Sequence, residues 1–389
     1  NDMIFVNWYM WVFKEGKYVQ GPYLPWFNNR SFTIVASIAT RDCFFIFSEG
    51  DAGATDQYLH TFYCRDWSYV LSLRFWGDDL NVYLSSNPLN ITAPTHLIFS
   101  WDVNTRLQSI YVNGSLAGSR TSTGYLVVSS GAATGYGSWI GKFAGSTSNG
   151  FMFYLMVFND SVSNPSVSPS MYSLGYVNAS NLVYFVSPTF FNGTHYLDLA
   201  SGIAIPLANA SGVDRVPTPT NYLNATVVRG VYGDNLVHLR FFPADAVVNF
   251  IDPSTGSVVA SVDMRSYTPN QAGLVEDVAV NIPGGSYVIE VVTGLRYLLG
   301  IPLVTYSSAP TKLILETRFV VNSSPAPSTQ VTVTITNSTY TATYSGYTDA
   351  SGTYSPPEAS PGTYTVTATF FDGVTNSSVT RTLGLFPPS

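Results

Sequence analysis

Short runs rich in Val, Ile, Thr, Tyr and Phe alternate along the chain with clusters of Gly, Asn, Asp, Ser and Pro. The clusters recur at intervals of roughly 8–12 residues, the spacing of turns in β-sandwiches. Runs such as SFTIVASIAT (31–40), YVLSLRFW (69–76), LNVYLSS (80–86) and HLIFSWD (96–102) predict strands. HLIFSWD and RLQSIYVNG predict a hairpin with Asp102 to Thr105 in its turn. The one segment with helical character is SVSPSMYSLGYV (166–177), where Ser166 or Ser168 would cap the start and Gly175 the end. The opening NDMIFVNWYMWVF reads as a strand apolar on both faces, with no charge between Met3 and Phe13. Such a strand must be covered on both sides, by its own sandwich or in a groove of a second subunit.

Composition shifts mark divisions. All seven tryptophans lie in the first 140 residues. SGVDRVPTPTN (211–221) has linker character, and a second break falls at YSSAPTK (306–312). IPGGSYVIEVVTG (282–294) and SPGTYTVTATFFDG (360–373) form a weak internal repeat that aligns Tyr287 with Tyr364.

The chain is 46% hydrophobic but only 11% charged, with a net charge of −7 and four lysines: Lys14, Lys17, Lys142 and Lys312. High hydrophobicity excludes general disorder. The lack of basic clusters removes the electrostatic footprint of a nucleic-acid or anionic-membrane binder. No apolar run is long enough for a membrane helix, and direct membrane insertion is not expected.

Cys43 and Cys64 are either two buried thiols or one disulfide between neighbouring strands, and the compartment decides. Eleven N-x-S/T sequons, at Asn29, Asn90, Asn113, Asn159, Asn178, Asn192, Asn209, Asn224, Asn322, Asn337 and Asn376, are roughly twice what chance would supply. They favour an N-glycosylated extracellular protein, hence the disulfide. The non-Met start is expected to reflect a removed signal peptide.

From about residue 20 to 205 the order of motifs resembles laminin-G-like, concanavalin A-type lectin domains. NRSFTIVASIAT is similar to their early strand, SWDVNTRLQSIYVNGSLAG (100–118) to a hairpin ending in Tyr-Val-Asn-Gly, and WIGKF with NGFMFYLMVFNDSVS to their closing strands. NASNLVYFVSPTFFNGTHYLDLASG (178–202) is similar to an extension in archaeal and viral relatives. TDASGTYSPPEASPGTYTVTA (348–368) resembles carboxypeptidase-regulatory-like and Cna-B-type sandwiches, which serve as stalks. The resemblance implies an all-β chain in three parts. These are a concanavalin A-like jelly-roll sandwich at 1–212, an Ig-like sandwich at 213–308, and an Ig-like/carboxypeptidase-regulatory-like sandwich at 309–389.

Concanavalin A-like folds also carry glycosidases, which need two carboxylates across the scissile bond. Glu49 and Asp51 are followed by Ala54 where a second Glu would complete that pattern. His60, His96, His195 and His238 show no metal-ligand spacing. The expectation is a non-enzyme without a required cofactor. Calcium, which the resemblance allows, would draw on Asp78 and Asp79, Asp102 with Asn104, or Asp51 with Asp56, although such residues in turns usually bond their own backbone. Glycan binding would use exposed aromatic faces among Trp26, Trp67, Trp76, Tyr58, Tyr63 and Tyr69.

Two readings follow. One is an adhesive surface glycoprotein, of an archaeal cell or a virion, whose lectin-like head binds glycans or partner surfaces. The other is a structural subunit that polymerises into an extracellular filament, by strand donation or otherwise, or into a surface layer.

Overall fold

The computed structural model describes the chain apart from residues 1, 51–54, 86–93, 129–136, 144–145, 163–180, 203, 207–212, 220–221, 224, 229–230, 233, 235, 284, 294–295, 306–316, 319, 322–323, 326, 339–340, 355–361, 372–375 and 386–389. The helix expected at 166–177, the break at 306–312, Asp51, and the sequons at Asn90, Asn178, Asn209, Asn224 and Asn322 lie outside the described residues. What is described is all-β, with short 3-10 turns at Pro25–Phe27 and Met264–Ser266. Two compact units are present, one of residues 1–234, 238–244 and 268–278, the other of 235–237, 245–267 and 279–389.

The first unit is a β-sandwich with an added layer. One sheet runs in the order 115–121, 107–112, 95–102, 32–39, 150–158, 182–191, 195–198 and 204–206, with 9–13 and 214–217 joined to it beside 150–158. A six-stranded sheet faces it, in the order 19–20, 138–140, 44–50, 58–64, 70–74 and 80–83. Alternate residues of both sheets, among them Ile34, Phe99 and Leu155 from the first and Ile46, Leu59 and Leu71 from the second, meet in the main core. The predicted hairpin forms with Asp102 opposite Leu107, and Asp102 accepts hydrogen bonds from the Asn104 amide and the Thr105 hydroxyl.

The strand Phe32–Ala39 is buried at all eight positions, so its second face is covered too. The cover is a four-stranded sheet in the order 225–228, 2–6, 237–243 and 274–280. Met3, Phe5, Val228, Phe241 and Leu274 from this sheet pack on Val35, Ile98, Phe153, Met156 and Phe185 of the long sheet. The single N-terminal strand expected from the sequence is therefore two. Asp2–Val6 enters the outer sheet and Tyr9–Phe13 the long one, because the Trp8 amide folds back onto the Val6 carbonyl. Residues 214–217 and 225–228, assigned by the sequence reading to a second sandwich, pair with these two N-terminal strands.

In the second unit two four-stranded sheets share one topology. The order 258–263, 247–251, 285–292, 296–305 matches 341–347, 330–336, 362–371, 376–385. Tyr287 and Tyr364, aligned in the repeat, are both buried in the third strand of their sheet, opposite Leu303 and Leu383. In the C-terminal sheet Val331, Val333, Ile335, Val366 and Ala368 form the core on one face. The other face places twelve hydroxyl residues in three registered rows: Ser345–Thr332–Thr369–Ser378, Thr343–Thr334–Thr367–Thr380 and Thr341–Thr336–Thr365–Thr382.

Candidate functional site

The outward face of the six-stranded sheet carries the candidate site. Along Tyr58–Cys64, Leu59 and Tyr63 point into the main core, so Tyr58, His60, Phe62 and Cys64 face away from it. On the neighbouring strand Val70–Arg74 the same alternation sends Leu71 and Leu73 inward and Val70, Ser72 and Arg74 outward. A bulge between Phe45 and Phe47 puts Phe45 with this outer set. The disulfide Cys43–Cys64 ties the strand ends together, and with Phe45, Phe62, Val70 and Phe143 it forms a small second core. Closing a loop of this length contributes about 3 kcal/mol by restricting the unfolded chain.

Rings cover that second core. Lys142–Phe143 pairs with Ser146–Thr147, and the ring of Phe143 stacks on Tyr58 at 5.4 Å, His60 at 4.4 Å and Phe45 at 5.5 Å. Trp76 follows the strand Val70–Arg74 and lies 6.0 Å from Tyr58 and 6.3 Å from His60. Trp67, in the turn before that strand, meets Phe62 edge-on at 5.4 Å. The Arg74 guanidinium lies 4.8 Å over Phe62 and 5.8 Å from Trp67. Asn81 fixes Arg74 by accepting its Nε–H, and also accepts from the Ser72 hydroxyl. Asp79 stands 3.8 Å from the same Nε.

The two turns that present the tryptophans are strained. Trp76 has φ 63°, with Gly77 at 101°, and Ser68 and Tyr69 have φ 64° and 56°. Left-handed backbone at bulky residues costs on the order of 1 kcal/mol or more and concentrates where a site needs a particular side-chain direction. Both tryptophans remain open to solvent, Trp67 47% and Trp76 37% exposed. His60, by contrast, is buried under the rings, and neither ring nitrogen completes a hydrogen bond among the described residues. Burial first, and the Arg74 charge second, push its imidazole down to about 3, so it is neutral across the physiological range.

Of the aromatic residues proposed from sequence, Trp67, Trp76 and Tyr58 come together here. Tyr63 lies within the main core, and Trp26 and Tyr69 pack against it. His60, Phe62, Phe143 and Arg74 were missed. The signal for two of them was available in LHTFYC, where His60 and Phe62 sit on the opposite parity from core residues Leu59 and Tyr63.

Of the calcium candidates, Asp78, Asp79 and Asp102 are engaged within their own surroundings. The buried Asp78 carboxylate accepts from Arg120 at 2.7 Å and from the Thr123 and Gly124 amides, and Asp79 accepts from the Phe75 amide. Asp56 is raised by burial and then by Asp78 and Asp79. Asp102 serves its own turn. No group of three or more His, Cys, Asp or Glu residues suited to a metal occurs among the described residues. Glu49 is buried, raised well above its usual range by burial, and accepts the Leu24 amide with both oxygens. Asn29 and Asn113 are exposed and left-handed, Asn159, Asn192 and Asn337 half-buried, and Asn376 opens the last strand. The Asn192 Oδ1 accepts from the Thr194 amide and hydroxyl.

No known protein family and no curated protein matches the chain. Among solved structures, it is similar to a candidate carbohydrate-binding protein from Bacteroides ovatus, at 16% identity and TM-score 0.41 over 55% of this chain and 60% of that one, less than two thirds of its length. It is similar to the CBM40 of Ruminococcus gnavus IT-sialidase bound to α2,3-sialyllactose, at 16% identity and TM-score 0.31 over 41% of this chain and 95% of that one. Domains LG4-5 of the mouse laminin α1 chain match at 10% identity and TM-score 0.33 over 97% of this chain and 80% of that one.

Proposed function

We propose that the protein is a non-enzymatic, extracellular glycan-binding protein that recognises sugar rings on the outer face of its six-stranded sheet. One observation carries this reading: two solvent-open tryptophans are built into a preassembled floor of rings, with a fixed arginine over Phe62 beside Trp67. A pyranose ring has an apolar face of C–H bonds and a rim of hydroxyls. Aromatic faces take the first, and the remaining N–H groups of an anchored guanidinium suit the second. Preorganisation lowers the ordering cost of binding, and the rings are held by packing before any ligand arrives.

In this reading the lectin-like unit is the head, the sheets of the second unit carry it outward from a cell or virion surface, and the sequons, Asn113 and Asn192 foremost, bear glycans. A polymer built by strand donation would have to exchange Asp2–Val6, which already pairs within its own chain. The test is a glycan array probed with the native protein and with a Trp67→Ala/Trp76→Ala variant. Binding lost in the variant while near-UV circular dichroism is kept supports the reading. Binding to no glycan, or equal binding by the variant, overturns it.

A further inference from the structure

The hydroxyl face of the C-terminal sheet has a chemistry of its own. Thr341, Thr343 and Ser345 line the edge strand Thr341–Tyr347, all exposed and on one side of it. Each faces a half-buried hydroxyl on the next strand in: Thr341 with Thr336 at 2.6 Å, Thr343 with Thr334 at 3.0 Å and Ser345 with Thr332 at 3.1 Å. Successive residues on this face stand ~6.8 Å apart along each strand.

Either oxygen of each pair can be the donor. One proton therefore serves two hydroxyls. If the inner threonine donates, the edge oxygen acts as acceptor and its own proton is not needed for the pair. An ether oxygen at the edge position would accept the same hydrogen bond. The edge also lacks the devices that usually guard an open strand: the four strands of this sheet contain one charged residue, Arg381, and the edge strand contains no charge and no proline.

We propose that Thr341, Thr343 and Ser345 are acceptors for O-linked saccharides, a modified row distinct from the asparagine sequons. The edge hydroxyl oxygen attacks the anomeric carbon of a sugar activated as a nucleotide or lipid phosphate. The bond from that carbon to the phosphate oxygen breaks, the phosphate leaves with the electron pair, and the hydroxyl proton passes to a base of the transferase. The inner threonines keep their protons, hold the new ether oxygen by hydrogen bond, and stay unmodified.

Native protein stripped of N-glycans by a glycoamidase tests this. Because no Lys or Arg lies between Arg318 and Arg381, digestion must be by an elastase-type protease, followed by electron-based fragmentation. Sugar masses on Thr341, Thr343 or Ser345, with Thr332, Thr334 and Thr336 bare, are expected. Bare edge residues, or sugars on the inner threonines, overturn it. A Thr341→Val/Thr343→Val/Ser345→Ala variant made in the native host keeps strand-forming residues and should lose the corresponding intact mass. An unchanged glycan mass in that folded variant also overturns it.

Discussion

The six-stranded sheet and the C-terminal four-stranded sheet each bury one face in a core of their own, yet their outward faces are opposites. On the first, Phe45, Phe62, Cys64 and Val70 build a second core roofed by rings. On the second, threonine and serine hydroxyls bond sideways to one another. Both strands read as alternating β sequence, so folding constrained the inner parity in each case. What the outer parity carries was left free: rings in one sheet, hydroxyls in the other.

The sharpest way to break this contrast is truncation of Phe62, fully buried on the outward face. Phe62→Ala should cost about 3–5 kcal/mol in chemical denaturation, as in a true core. A loss under ~1 kcal/mol would mean that the aromatic face is decoration rather than structure.

Acid gives the next effect. Folded His60 stays neutral down to about pH 3, whereas the unfolded imidazole takes a proton below its ordinary value of 6.5. Between those limits the unfolded chain binds more protons, so stability is fully present above pH 6.5 and falls as pH drops toward 3, by on the order of 5 kcal/mol. His60→Phe, a ring among rings, should flatten that fall in pH-dependent melts. The remaining slope would come partly from His96, which burial pushes down to about 4. An unchanged pH profile would contradict the buried placement of His60.

Trp76→Ala sharpens the functional side. It should weaken glycan binding by about 2 kcal/mol, roughly thirtyfold by calorimetry, as an interface anchor does, with less than ~1 kcal/mol lost in stability. The smallest effect belongs to the hydroxyl face. Thr334→Val removes one cross-strand pair and should change stability by less than ~1 kcal/mol in thermal melts. A larger loss would give the hydroxyl rows a structural weight that the aromatic face was thought to hold alone.

Strand positions and the hairpin at Asp102 were legible because alternation and turn chemistry act over a few residues. The third layer was not. Val35, Ile98 and Met156 announce strands covered on both faces, but nothing local says that strands 2–6, 225–228, 237–243 and 274–280 supply the cover. The split of the N-terminal strand was equally hidden, since Asn7 and Trp8 carry no breaker signal and Asn7 is held by donating to the distant Tyr222 carbonyl. For the site, seven tryptophans look alike in sequence. Trp11 and Trp101 are fully buried, while Trp67 and Trp76 stand open, and only the positive backbone angles at Trp76 and before Val70 separate them.

The pairing of Asp2–Val6 with Ala225–Val228 also sets a timetable. This fully buried strand leaves the ribosome more than 200 residues before its partner. At usual elongation rates that is a wait of roughly 10–40 s. Through that interval Met3, Ile4, Phe5 and Val6 have no sheet to join, and the long sheet has one bare face. The nascent chain therefore depends on whatever shields it in the meantime, and its yield in a foreign host should follow chaperone supply more closely than final stability.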